Sequence, residues 1–138
     1  MKLAFYKGTQ KGLAGLYNRL ARLWLRGKYT HYEVIFSDKM CASSAFTNNK
    51  IHFKKIHLDP YKWDIIFVDV DERRVRDWFD ARAGLKYDLF GAMGLVLRVF
   101  GGSRNRYFCS EALMASLGYR DSWRYDPCIA FSTLKGSS

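Results

Sequence analysis

The clearest alternation of apolar and polar positions runs through Thr30-His-Tyr-Glu-Val-Ile-Phe, whose β-branched and aromatic content predicts a strand. Successive side chains on a strand point to opposite faces, so His31, Glu33 and Ile35 share one face and Tyr32, Val34 and Phe36 the other. Ser37-Asp-Lys predicts a turn, and Met40-Cys-Ala-Ser-Ser-Ala-Phe a second strand running antiparallel to the first. After the turn residues Thr47-Asn-Asn-Lys, Ile51 and Phe53 alternate with His52 and Lys54 in a third strand, 51–58. Asp59-Pro-Tyr-Lys-Trp connects it to Asp64-Ile-Ile-Phe-Val-Asp-Val, the most apolar of these segments and the one expected at the centre of the sheet.

The period then changes from two to that of a helix. Residues 71–83 begin with acids, carry Val75, Trp78 and Phe79 on one side and stop at Gly84, which predicts a helix of about three turns. Asp88 is placed to cap a second helix, apolar nearly all round, which ends at Gly101-Gly102; Gly91, Ala92 and Gly94 suit it to close packing. A third helix is expected from about Ser110 to Leu117, stopped by Gly118, and the tail reads as a loop with a short closing element. Near the N-terminus, Leu13, Leu16, Leu20, Leu23 and Trp24 recur at helical spacing while Arg19, Arg22 and Arg26 fall largely on another face, predicting an amphipathic helix over 10–26. Such a stripe either packs on the core or, being basic, lies on an anionic membrane; packing is the favoured expectation. No repeat or linker divides residues 1–138, so a single α+β domain is the simplest organisation.

Length and composition agree with a packed core: 138 residues, 49% hydrophobic and 17% aromatic. Three widely spaced cysteines, Cys41, Cys109 and Cys128, argue against a disulfide framework and for a reducing compartment. No apolar run is long enough for a signal peptide or a spanning helix, so a cytoplasmic protein is expected. The net charge of +10 is uneven, with seven basic and no acidic residues in positions 1–28, which raises an anionic polymer, a lipid surface or an acidic substrate as a partner beside the plain reading of a solvated basic face. His52, His57 and Cys41 match no zinc spacing, so neither a metal nor another cofactor is expected.

Cys109 carries the chemistry. It stands where a helix should begin, in Tyr107-Phe-Cys-Ser-Glu-Ala-Leu-Met, and the unpaired N–H groups and positive dipole end there favour the thiolate, which is the nucleophile. An imidazole brought alongside can take or return a proton. Glu33, on the His31 face, is the strongest electrostatic partner for that imidazole, although an arginine such as Arg104 or Arg106 is an alternative partner for Glu33 itself. Glu111 in the first turn is expected to stabilise the helix dipole, and Cys41 and Cys128 to be structural.

Thr30-His-Tyr-Glu-Val-Ile-Phe, Trp63-Asp, Lys86-Tyr-Asp-Leu-Phe-Gly-Ala and Phe108-Cys-Ser-Glu-Ala, in that order, resemble the circularly permuted branch of the NlpC-type, papain-like cysteine hydrolases, which also resembles lecithin retinol acyltransferase. The likeness covers about residues 8–133 and is greatest to small members encoded by bacteriophages and their hosts, which would put the protein in a host cell's cytoplasm. The resemblance implies a permuted papain-like core, an antiparallel sheet packed against helices, with Cys109 as nucleophile, His31 as general base and acid, and a third polar residue on the following strand, Ser43 or Ser44, if Glu33 does not fill that role. It implies attack on an amide, ester or thioester carbonyl.

Three functions follow from different classes. The first is a cysteine peptidase or amidase. The second is an acyl-transfer or lipid-acting enzyme using the same residues, docked on a membrane through Arg19, Arg22 and Arg26. The third is a non-catalytic binding protein for a host component or nucleic acid, to which the charge and Tyr17, Trp24, Tyr29 and Trp63 lend themselves although no recognised nucleic-acid motif accompanies them.

Overall fold

Among the described residues five short strands form one antiparallel sheet: β1 Lys2–Tyr6, β2 His31–Ile35, β3 Cys41–Ala45, β4 Lys50–Lys54 and β5 Trp63–Phe67. Their spatial order is β4-β3-β2-β1-β5. This computed structural model describes residues 1–8, 19, 22–23, 27–45, 50–86 and 109–136. The predicted apolar helix after Asp88, most of the 10–26 helix, Arg26, Arg104 and Arg106 lie outside them.

Two expectations about the sheet are corrected. Lys2–Tyr6, in which no strand was expected, pairs with β2 on one side and β5 on the other. Its Leu3, Ala4 and Phe5 are fully buried, because a strand covered on both faces has no polar position to signal its period. The segment expected at the centre is β5, which among the described residues lies at the sheet edge, with Ile65 and Phe67 exposed. High apolar content there marks an uncovered face and not a central place.

Among the elements described from end to end, three helices accompany the sheet: α1 Glu72–Asp80, α2 Cys109–Ser116 and α3 Pro127–Lys135. Asp71 caps α1 by accepting from the N–H groups of Arg73 and Arg74, and Gly84, at φ 86°, closes the turn that follows. Gly118, at φ 87°, does the same after α2. The tail contains a nine-residue helix where a short closing element was expected. Asp126 accepts from Cys128 and Ile129 N–H at 2.7 and 2.9 Å, and Pro127 occupies the first turn, where its missing N–H costs nothing.

One face of the sheet, with Leu3, Phe5, Tyr32, Val34, Ala42 and Ile51, packs against Val75 and Phe79 of α1, Ala112, Leu113 and Met114 of α2, and Ala130 and Leu134 of α3. Each large apolar side chain buried this way contributes about 1.5–3 kcal/mol. Near the N-terminus Arg22 turns inward, donating to the carbonyl oxygens of Lys7, at 2.6 Å, and Gly8. Leu23, expected on the packed side of that helix, is 78% exposed. Neighbouring helical residues diverge by about 100°, so holding Arg22 against the strand end turns Leu23 away. No helix among the described residues is long and apolar enough to cross a membrane.

Candidate active site

His31 opens β2 and Glu33 follows two positions on, so strand alternation puts both on the same face, as their spacing predicts. The His31 Nε2 and Glu33 Oε1 atoms are 3.0 Å apart. Glu33 is 1% exposed, flanked by the small Ala4 directly across on β1. The expected arginine partners lie outside the described residues; a lysine fills the role, with Lys54 Nζ 2.6 Å from the same Oε1 atom. Lys54 stands two strands away on β4, opposite Cys41 of β3, and a long stem reaching over small neighbours is what spans that gap.

Cys109 is the first residue of α2, where the backbone N–H has no partner within the helix. Helix α2 packs across β2 and β3, which carries the thiol to the start of β2. Its Sγ lies 4.0 Å from the carbonyl oxygen of Thr30, the residue that leads into His31, and Cys109 is among the groups that raise the His31 pKa. Cys109 is 6% exposed.

The electrostatics follow from this arrangement. Burial alone would push the imidazole down, but hydrogen bonds with Cys109 and Glu33 and the charges of both outweigh it and raise His31 from 6.5 to about 9. Burial also works against a charged Glu33, yet hydrogen bonding and charge from His31 and then Lys54 hold its carboxyl below the ordinary range. Tyr32, behind His31 in the core, is raised well above the usual phenol by burial and by the negative charges of Cys109 and Glu33. Burial raises the Cys41 and Cys128 thiols as well.

Several polar atoms around this cluster are buried without a hydrogen-bond partner among the described residues: Glu33 Oε2, Ser43 Oγ, Thr30 Oγ1, Tyr32 Oη and Ser110 Oγ. Ser43 and Ser44 are both fully buried, but they face opposite ways. Continuing the Val34–Ala42 register puts Ser43 beside Glu33, whereas Ser44 faces the core with Ile51. Cys128 serves structure: its sulfur accepts from the Tyr29 N–H at 3.2 Å, tying α3 to the residues that lead into β2.

A groove of about 710 Å³ runs along β5, lined by Tyr29, Trp63 and Phe131 with Lys28 and Lys135 beside them. Trp63 links it to the cysteine–histidine pair, for its ring centroid is 6.3 Å from that of His31. Sequence reading drew attention to Trp63 as a nucleic-acid contact and overlooked Lys54. Only the β3–β4 register reveals Lys54, because nothing in its local sequence points to Glu33. Of the basic residues expected on a docking surface, Arg19 is exposed and Arg22 is engaged with backbone carbonyls. Comparisons with protein-family models, curated proteins and solved structures found no match to this chain.

Proposed function

We propose that the chain is a cysteine hydrolase, a peptidase or amidase, that works through an acyl-enzyme in a permuted papain-like arrangement. The observation that carries this reading is the place of Cys109, which starts α2 with its sulfur 4.0 Å from the Thr30 carbonyl at the head of β2, where the His31 ring is held by buried Glu33. Nucleophile, base and orienting acid thus gather at one strand end.

In the first half-reaction the Cys109 thiolate attacks the carbonyl carbon, forming the C–S bond and a tetrahedral oxyanion. The Cys109 N–H at the helix start is one donor to that oxygen. Collapse breaks the C–N bond as the His31 imidazolium gives its proton to the departing nitrogen. In the second half, neutral His31 takes a proton from water as its oxygen attacks the thioester. The C–S bond breaks, the acid is released, and thiolate and imidazolium are restored. An alcohol or amine in place of that water gives acyl transfer by the same steps. The β5 groove gives an extended substrate a place beside His31, and its aromatic lining suits apolar side chains.

Iodoacetamide labelling at neutral pH followed by peptide mass spectrometry tests the reading. Cys109 is expected to react first, since burial keeps the Cys41 and Cys128 thiols protonated. Cys109→Ala removes the fast phase and leaves the far-ultraviolet circular dichroism unchanged. Equal, slow labelling of all three thiols overturns the proposal.

A further inference from the structure

The Glu33 carboxylate faces two cations through one oxygen: His31 at 3.0 Å and Lys54 at 2.6 Å both meet Oε1, while Oε2 has no hydrogen-bond partner among the described residues. The other titratable groups acting on this carboxylate among the described residues carry no positive charge at neutral pH. His52 of β4 is pushed down by burial, Cys41 of β3 is a protonated thiol pushed up by burial, and Cys109 of α2 contributes either no charge or a negative one. When His31 gives up its proton, Lys54 is therefore the cation left, among the described residues, against a carboxylate that is 1% exposed. A buried carboxylate without a counter-charge costs several kcal/mol.

We propose that Lys54 is a positioning residue that acts through Glu33, keeping the carboxylate ionised and in place while His31 cycles between imidazolium and imidazole. Lys54 shares Oε1 with the ring and so limits how firmly Glu33 holds the His31 proton. Without it the counter-charge left for Glu33 among the described residues would be a protonated His31. The ring would then be locked as an imidazolium, able to assist a thiolate but slow to release a proton to a leaving group.

The consequence for turnover rests on the hydrolase reading, whereas the titration of His31 does not. The test is a long-range proton–nitrogen NMR titration of the histidine rings in the full chain, with His31 assigned by its loss in His31→Gln. Lys54→Met is expected to raise the His31 midpoint by about one unit, the size of shift a single close charge produces. Lys54→Arg is expected to return it to the wild-type value. A His31 midpoint that stays put or falls in Lys54→Met overturns the inference. Should Lys54→Met fail to fold, Lys54→Gln, which keeps a polar stem without the charge, is read by the same criterion. Iodoacetamide labelling of the wild-type chain separates the two ideas: fast Cys109 alkylation with an unmoved titration sinks the role of Lys54 alone. A shifted titration with no preferential Cys109 labelling sinks the hydrolase and leaves the Lys54–Glu33–His31 coupling intact.

Discussion

Two carboxylates on this sheet are each held by basic partners, yet their surroundings differ. Asp64 on β5 is met by Lys28, Lys7 and the Tyr29 hydroxyl at 2.9, 2.5 and 2.7 Å, and these bonds hold it well below the ordinary carboxylate range. Both of its oxygens are engaged and its side chain is 28% exposed. Glu33 on β2 is almost sealed from solvent, engages a single oxygen among the described residues, and neighbours a ring whose pKa a thiol also raises. The first cluster is satisfied and faces water; it fastens the N-terminal segments to the edge strand. The second leaves capacity unmet inside a low-dielectric pocket, where a moving proton or an incoming substrate changes the energy most. The contrast teaches that a carboxylate's partners are less informative than what remains unpaired around it.

The sharpest way to break the contrast is kinetic. His31→Gln is expected to slow Cys109 alkylation at neutral pH by about 10²–10⁴-fold, the range associated with losing a positioned acid or base. Asp64→Asn is expected to leave the rate unchanged. Comparable losses in both variants would make the two clusters equivalent.

A second difference lies in how stability depends on pH. The folded chain holds the His31 proton up to about pH 9, against 6.5 for an ordinary imidazole. Its contribution is therefore whole below 6.5 and is lost as pH climbs through about 9. Glu33, shifted the other way, contributes above the ordinary carboxylate range and is lost as pH falls through its lowered folded-state value. Urea denaturation across the alkaline window should show wild-type stability declining and His31→Gln nearly flat. A wild-type curve without slope would contradict the coupling.

Smaller effects sharpen the distinction between met and unmet groups. Tyr29→Phe removes a hydroxyl bonded to Asp64 and is expected to cost about 1 kcal/mol, reduced from the buried range because the pair is partly solvated. Ser43→Ala removes a buried hydroxyl with no hydrogen-bond partner among the described residues and is expected to change stability by less than ~0.5 kcal/mol or to raise it slightly. Chemical denaturation of the two variants side by side checks both, and a larger loss at Ser43 than at Tyr29 would reverse the assignment.

Much of the site was legible where local rules operate. Alternation placed His31 and Glu33 on one face, the helix-start pattern singled out Cys109, and the glycine stops at Gly84 and Gly118 fell where positive φ is needed. Non-local facts were out of reach. Lys2–Tyr6 is short and covered on both faces, so its composition carries no period, and the apolar β5 turned out to border the sheet. Lys54 reaches Glu33 only through strand register, which an isolated segment cannot display. The α3 helix is a different case. Its Asp126-Pro127 opening was a readable cap, obscured by its place near the chain end.

Seventy-nine residues separate Thr30 from Cys109, whose atoms meet at the head of β2. A β2–β3–β4 meander can assemble early from neighbouring segments, but the thiol joins it only after a long loop has closed. On the hydrolase proposal, reactivity is thus withheld from a half-made chain: the strand waits for a helix made later, and the rate at which an alkylating reagent finds Cys109 doubles as a clock for the completion of folding.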